Sequence, residues 1–120
     1  MKIIVTGGAG FLGSHLCDKL IDSGHKVYCV DNLITGSKDN INHLLDNPNF
    51  KFLEQDVLEG FEELEADQVY HLASPASPNK NNPKSYISLP LETMRVNTAG
   101  TWALCEWAAK KEAKFLFAST

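Results

Sequence analysis

The stretch Thr6-Gly7-Gly8-Ala9-Gly10-Phe11-Leu12-Gly13 decides the fold of this chain. It joins a β-branched run at residues 2–6, typical of a buried central strand, to a segment with helical spacing. Two glycine patterns overlap in it, GxGxxG from Gly8 and GxxGxxG from Gly7, and both end at Gly13. Glycines between a strand and a helix allow a tight turn, a close approach of backbone to a ligand, and close packing of helix on strand. Because the first helical amides remain free, the stretch predicts a pyrophosphate-binding turn.

Outward from this turn, strand-like runs alternate with helical patterns, which predicts a parallel sheet with crossover helices. The predicted strands are residues 2–6, 26–30, 50–53, 69–72 and 115–118. The predicted helices are residues 11–23, a short one at 41–45, and the longest at 91–113. Residues 74–90 contain four prolines and are predicted to form a long loop.

These elements predict an α/β fold of the Rossmann type, a doubly wound parallel sheet of five strands in the order 3-2-1-4-5 with flanking helices, truncated after strand five. A chain of 120 residues is long enough for one compact domain and too short for two. We therefore treat residues 1–120 as one domain.

Asp31 closes the second predicted strand, 18 residues after Gly13. A carboxylate at this position can accept hydrogen bonds from both hydroxyls of an adenosine ribose. It also repels a 2′-phosphate, so the sequence predicts NAD rather than NADP as cofactor. An isolated strand-end aspartate can also serve a turn, but the preceding glycines favour the cofactor.

Composition restricts the other partners. The net charge of −4 gives no electrostatic footprint for nucleic acid or an anionic membrane. Cys17, Cys29 and Cys105 are isolated and lack metal-ligand spacing, so we expect no metal site and read them as small buried side chains in a reducing cytosol. Since no apolar run approaches about 18 residues, we expect a cytoplasmic protein without a membrane partner.

Several further motifs resemble those of the extended short-chain dehydrogenase/reductase family that acts on nucleotide sugars. They are the glycine-rich stretch, DNLITG at residues 31–36, QDV at 55–57 and HLAS at 71–74. That family includes epimerases, 4,6-dehydratases and decarboxylases. The tract ASPASP at residues 73–78 and the Tyr86-x-x-x-Pro90-x-x-Thr93-x-x-x-Asn97 pattern are most similar to UDP-glucuronate decarboxylases.

The resemblance implies a role for individual residues of a cofactor and substrate site. The pyrophosphate would be held by Gly7, Gly10, Phe11 and Leu12, and the adenosine ribose by Asp31 and Asn32, with Ile34, Thr35 and Gly36 closing over it. Asp56 and Val57 would flank the adenine, and Leu72 and Ser74 would line the nicotinamide side. Arg95 would contact the sugar nucleotide. Asn97 matches the asparagine that the family carries in this helix.

Simpler structural explanations exist for some of these positions. Asp56 can cap a turn, Asn97 can bind nearby backbone, and Arg95 can be a solvated helix residue. His71 directly follows a buried strand pattern, so we predict that it is packed rather than catalytic.

The family's chemistry resembles a hydride shuttle in which NAD oxidises the C4 hydroxyl of a sugar and a tyrosine, with a lysine four residues later, takes the proton. None of the tyrosines in residues 1–120 has that lysine, whereas Thr120 matches the hydroxyl that assists catalysis. We therefore expect the N-terminal NAD-binding part of a longer enzyme, without its substrate-binding C-terminal region and inactive alone. The resemblance also implies that the full-length protein is a homodimer packed through long helices.

The function predicted for the parent protein is that of a nucleotide-sugar-modifying enzyme, with a UDP-sugar favoured as substrate. UDP-glucuronate decarboxylation through transient C4 oxidation by NAD fits the motifs best. A 4-epimerase, a 4,6-dehydratase and a non-catalytic NAD-binding module remain alternatives. Two departures bear on the substrate: residues 79–85 are longer than the family pattern, and Val96 stands where threonine is common.

Overall fold

The computed structural model describes residues 1–119, which fold around a single parallel sheet. Its strands are β1 (Lys2–Thr6), β2 (Lys26–Asp31), β3 (Phe50–Glu54), β4 (Gln68–His71) and β5 (Lys114–Phe117). Within the described residues these five strands pair in the order β3-β2-β1-β4-β5, which confirms the predicted order. The order reverses between β1 and β4, so a crevice opens at their carboxyl ends, where open α/β sheets bind their ligands.

Helices connect the strands on both faces of the sheet. They are α1 (Phe11–Asp22), α2 (Pro90–Arg95) and α3 (Thr101–Lys110), with short 3₁₀ turns at Lys38–Asn40, Asn42–Leu44 and Val57–Glu59. The prediction of a helix at residues 41–45 is wrong, because the segment forms two 3₁₀ turns, Lys38–Asn40 and Asn42–Leu44, instead. A single turn of i→i+3 bonds suits a segment too short to propagate an α-helix.

The long helix predicted at residues 91–113 is also interrupted. α2 passes into a π turn, Val96–Gly100, before α3 begins. A π turn admits one extra residue without breaking the helical path, so apolar periodicity alone does not reveal it. The last residue of the π turn, Gly100, packs closely against Val57. A Cβ at this position would lie only 2.8 Å from Cγ2 of Val57, so glycine allows the close approach.

The sheet carries an apolar core on each face, since successive side chains of a strand point in opposite directions. Ile3 and Val5 of β1 pack with Cys17 of α1 on one face, whereas Ile4 packs with Leu104 of α3 on the other. Burial on both faces explains why the strands read as continuous apolar runs.

The cysteines divide between core and surface. Cys17 and Cys29 are buried as predicted, but Cys105 is exposed. The expectation for Cys105 is wrong because the buried face of α3 is formed by Leu104, Trp107 and Ala108. No helix in residues 1–119 has the length and apolar character needed to cross a membrane.

Candidate functional site

A cavity of about 930 Å³ opens at the carboxyl ends of the strands, beside the point where the strand order reverses. Most residues predicted for the cofactor and substrate meet there. The predicted residues that line the cavity are Gly7, Gly10, Phe11, Leu12, Asp31, Asn32, Ile34, Thr35, Asp56, Val57, Leu72, Ser74, Arg95 and Asn97. Gly36 is absent from the lining, and Thr120 lies outside the described residues.

The glycine turn shows which of the two overlapping patterns faces the cavity. Gly7 has φ 73°, and a Cβ there would lie 2.8 Å from the backbone nitrogen of Ala73. A Cβ on Gly13 would overlap the carbonyl oxygen of Gly7, so glycine lets α1 pack against the turn. Gly8 is buried against Cys29, whose Sγ would be 2.5 Å from an added Cβ. The pattern that starts at Gly7 therefore borders the cavity.

Gly10 opens the N-terminus of α1 to the cavity. Its φ of −79° is ordinary, and the nearest atom to an added Cβ is the Gly7 carbonyl oxygen at 3.2 Å. No side chain within residues 1–119 caps this helix, and Phe11 and Leu12 are 75% and 69% exposed. Free first-turn amides and the positive end of the helix dipole together favour a bound anion.

Asp31 stands at the end of β2 with its carboxylate held by backbone amides. Its Oδ2 accepts a hydrogen bond from Ala9 N at 3.0 Å, and its Oδ1 accepts one from Leu33 N at 2.8 Å. Burial raises the pKa of this carboxyl, while the two amide bonds act in the opposite direction. The carboxylate is thus oriented before any ligand arrives, and each oxygen keeps further acceptor capacity.

The loop after β2 is tied to the glycine turn. Ser37 N and the Asn40 side-chain amide both donate to the carbonyl of Ala9, at 3.0 and 2.8 Å. A Cβ on Gly36 would lie 3.0 Å from Asp31 Oδ2, so Gly36 packs against the carboxylate rather than the cavity. Leu33 has φ 61°, a strained conformation that its amide bond to Asp31 helps to hold.

Asp56 performs the simpler structural role considered from the sequence and also borders the cavity. Its side chain accepts from Leu58 N at 2.9 Å, while its own amide donates to Glu59 Oε1 at 3.3 Å. This reciprocal pair is a capping box at the start of Val57–Glu59. The turn fixes Val57, which is buried at the wall of the cavity.

Asn97 ties the π turn to the segment after β4. Its Nδ2 donates to the Ser74 hydroxyl at 2.8 Å and to the carbonyl of Thr93 at 2.9 Å. The backbone contact considered from the sequence is therefore present, and the side chain lines the cavity as well. Arg95, on the same helical segment, is exposed to the cavity and forms no ion pair within the described part of the chain.

Some lining residues were not predicted from the sequence. Lys84 and Tyr86 reach the cavity from the loop that follows β4, and Phe117 and Ser119 reach it from the end of β5. Loops have no apolar period that identifies inward-facing residues. For Lys84 and Tyr86, the sequence feature that could have indicated a place in the site was the position of their long loop at the carboxyl edge of the sheet.

His71, at the end of β4, is packed as predicted. It is 1% exposed, and burial lowers its pKa to about 4. Its ring nitrogens lie within hydrogen-bond distance of the Thr6 and Thr101 hydroxyls.

A parallel sheet in this strand order, a glycine turn at the first strand–helix junction and a carboxylate at the end of β2 define a Rossmann-type nucleotide-binding domain. A family model described as "NAD dependent epimerase/dehydratase family" matches residues 3–120. The chain belongs to that family.

Curated relatives include UDP-glucuronic acid decarboxylases. That of Danio rerio is 46% identical over 119 residues, which are 99% of this chain and 27% of the relative. UDP-glucuronic acid decarboxylase 1 of Arabidopsis thaliana is 47% identical over 120 residues, 100% of this chain and 26% of the relative. The chain thus spans about a quarter of the length of these relatives.

Solved structures of epimerases share the fold. The UDP-glucose 4-epimerase of Thermotoga maritima with UDP-glucose is 37% identical, with a TM-score of 0.79 over 100% of this chain and 38% of that one. The UDP-glucose 4-epimerase of Thermus thermophilus in complex with NAD is 32% identical, with the same TM-score of 0.79 and coverage of 100% and 38%.

Proposed function

We propose that this chain is the NAD-binding part of a nucleotide-sugar-modifying enzyme, and that residues 1–120 form its N-terminal Rossmann domain. The observation that carries the proposal is the meeting of a glycine turn, an uncapped helix N-terminus and a preoriented carboxylate in one cavity. Family membership supports the same function.

The residues present fit NAD. Gly10 leaves open the space that a Cβ would fill beside the first-turn amides of α1, where a pyrophosphate can approach. Asp31 offers free acceptor positions to a ribose diol, and its negative charge disfavours the 2′-phosphate of NADP. When bound, NAD supplies a hydride acceptor, and the chain's own contribution is to hold and orient it.

The proposed substrate is a UDP-sugar, with UDP-glucuronate favoured because the curated relatives named above are UDP-glucuronic acid decarboxylases. Lys84 and Arg95, which line the cavity together with Asp31, Asp56 and Glu92, offer two cationic groups to an anionic nucleotide sugar. Transient oxidation at C4 would make the neighbouring carboxylate labile. Residues outside 1–120 would supply the tyrosine–lysine pair and the sugar pocket, and Thr120 would assist as a hydroxyl.

A sugar 4-epimerase remains the second candidate, because the solved neighbours include 4-epimerases. A 4,6-dehydratase and a non-catalytic NAD-binding module are the further alternatives. The proposed full-length protein is a cytoplasmic homodimer. Exposed Leu91, Met94 and Trp102 on α2 and α3 support an association through these helices.

The test uses the full-length protein with NAD and three substrates: UDP-glucuronate, UDP-glucose and dTDP-glucose. Release of carbon dioxide from UDP-glucuronate supports the decarboxylase, whereas epimerised UDP-glucose or a 4-keto-6-deoxy product from dTDP-glucose supports an alternative. Calorimetric titration with NAD runs in parallel. Binding without turnover of any substrate favours the non-catalytic module, and failure to bind NAD refutes the proposed function.

A further inference from the structure

The buried histidine at the end of β4 makes hydrogen bonds with both of its ring nitrogens. His71 Nδ1 lies 2.6 Å from the hydroxyl of Thr6, the last residue of β1. Its Nε2 lies 3.0 Å from the hydroxyl of Thr101, the first residue of α3. The ring therefore links the carboxyl ends of β1 and β4 to α3, the helix that follows the π turn.

The hydrogen-bond partners fix which nitrogen carries the proton. The Thr101 hydroxyl donates its single proton to the carbonyl of Val96 at 3.2 Å, so it can only accept from His71. Nε2 must then be protonated, and Nδ1 of the neutral ring accepts from the Thr6 hydroxyl. The Thr6 oxygen accepts in turn from Ala73 N at 3.4 Å. The carbonyl of Val96, which can only accept, also forms a hydrogen bond with the His71 ring, in agreement with a protonated Nε2.

Both ends of the network lie at the cavity. Ala73 lines it and is the residue against which Gly7 packs most closely. Val96 lines it as well, and it begins the π turn one residue before Asn97. The network therefore joins the glycine turn to the helical segment that carries Asn97 and Arg95.

Aromatic rings surround the imidazole. The ring of Phe117 stacks on His71 with centroids 5.4 Å apart at 24°, and that of Phe115 lies 6.2 Å away. A polar atom left without a partner in such apolar surroundings is costly. The threonine hydroxyls and the histidine thus depend on one another, and loss of one hydroxyl should disturb the whole network.

We propose that His71, as the neutral Nε2–H tautomer, is a positioning residue that holds the π turn Val96–Gly100 against the carboxyl ends of β1 and β4. By this means it sets where Asn97 meets Ser74 in the cavity. His71 acts through Thr101 and Val96 rather than by touching a ligand. The effect on ligand affinity rests on the proposed function, whereas the network itself does not.

The test compares two substitutions of one residue in the full-length protein. Thr101→Val removes the hydroxyl and keeps the shape, whereas Thr101→Ser keeps the hydroxyl. We expect Thr101→Val to weaken NAD binding by about 2- to 30-fold, the usual range for coupling through a network, and Thr101→Ser to stay near the wild type. In the ligand-free protein, the side-chain amide resonances of Asn97 should shift in Thr101→Val alone.

A second measurement needs no variant. Long-range ¹H–¹⁵N spectra of the wild-type protein without ligand report the tautomer of His71, and we expect the proton on Nε2. A proton on Nδ1, equal effects of the two Thr101 variants, or unchanged Asn97 resonances in Thr101→Val would each overturn the proposal. If the protein binds no NAD, the proposed function fails, while the tautomer and the Asn97 resonances still decide this inference.

Discussion

The carboxylate of Asp31 accepts a hydrogen bond from the backbone amide of Ala9 at 3.0 Å, which joins the end of β2 to the glycine turn. Two parts of the proposed NAD site, the acceptor for the ribose and the turn for the pyrophosphate, are thereby held in a fixed relation. Because Ala9 also accepts from Ser37 N and Asn40, the loop after β2 shares the same anchor.

Asp31→Asn should weaken NAD binding while it changes little of the side-chain volume. A hydrogen bond to a charged acceptor contributes about 1.5–3 kcal/mol, so we expect a loss of about 10- to 100-fold in affinity. The preference for NAD over NADP should fall, because the repulsive charge is gone. Calorimetric titration with both cofactors measures this, with the exposed Asp46→Asn as control. An unchanged NAD affinity in Asp31→Asn would remove Asp31 from the site.

Gly10→Ala and Gly13→Ala should separate binding from folding. An added Cβ at Gly10 has one near neighbour at 3.2 Å, whereas at Gly13 it overlaps the Gly7 carbonyl. We expect Gly10→Ala to bind NAD more weakly with a nearly unchanged melting temperature, and Gly13→Ala to lose about 1–3 kcal/mol of stability. Thermal unfolding and NAD titration distinguish the two. Equal destabilisation by both would contradict the assigned roles.

The sheet was predictable because the apolar strand runs are distinct and consecutive parallel strands connect with one handedness. The residue pattern alone did not decide between the glycine patterns that start at Gly7 and at Gly8, although the family resemblance assigned Gly7. The choice depends on contacts of Gly7 and Gly8 with Ala73 and Cys29, which lie far away in sequence. The left-handed conformation of Leu33 had no sequence signal either, since leucine rarely adopts it.

The cavity lining was predictable at the strand ends and less so elsewhere. Asp31 and Ser74 follow strands, so topology alone brings them to one edge of the sheet. Lys84 belongs to a loop whose path depends on its own bonds, such as that of the Ser88 hydroxyl to the Asn82 carbonyl at 2.8 Å. The π turn escaped prediction because one extra residue barely alters apolar spacing.

The stability of the protein should contain an acid-sensitive contribution from His71. Its pKa is lowered from 6.5 to about 4 in the folded state, so the unfolded chain takes up the proton first as the pH falls. The contribution is complete above pH 6.5 and is lost progressively as the pH falls from 6.5 to about 4, by on the order of 3 kcal/mol.

Asp31 acts with the opposite sign in this acid range, because its raised pKa makes the folded state bind a proton more readily. The measurement is therefore the difference in urea unfolding free energy between the wild type and His71→Gln, followed from pH 6.5 to about 4. Other titrating groups cancel in that difference. A pH-independent difference would show that His71 titrates alike in the folded and unfolded states.

The two tryptophans of α3 should respond very differently to the same substitution. Trp107 is 5% exposed, donates from Nε1 to the Phe61 carbonyl at 2.9 Å and packs edge-on against the Phe61 ring, whereas Trp102 is 70% exposed. Trp107→Phe leaves a cavity and an unpaired carbonyl, so we expect a loss of about 1–3 kcal/mol. Trp102→Phe should stay within about 0.5 kcal/mol. Urea unfolding of both variants at a protein concentration low enough to keep the protein monomeric decides it, and a comparable loss in Trp102→Phe under those conditions would contradict the exposure of Trp102 in the single chain.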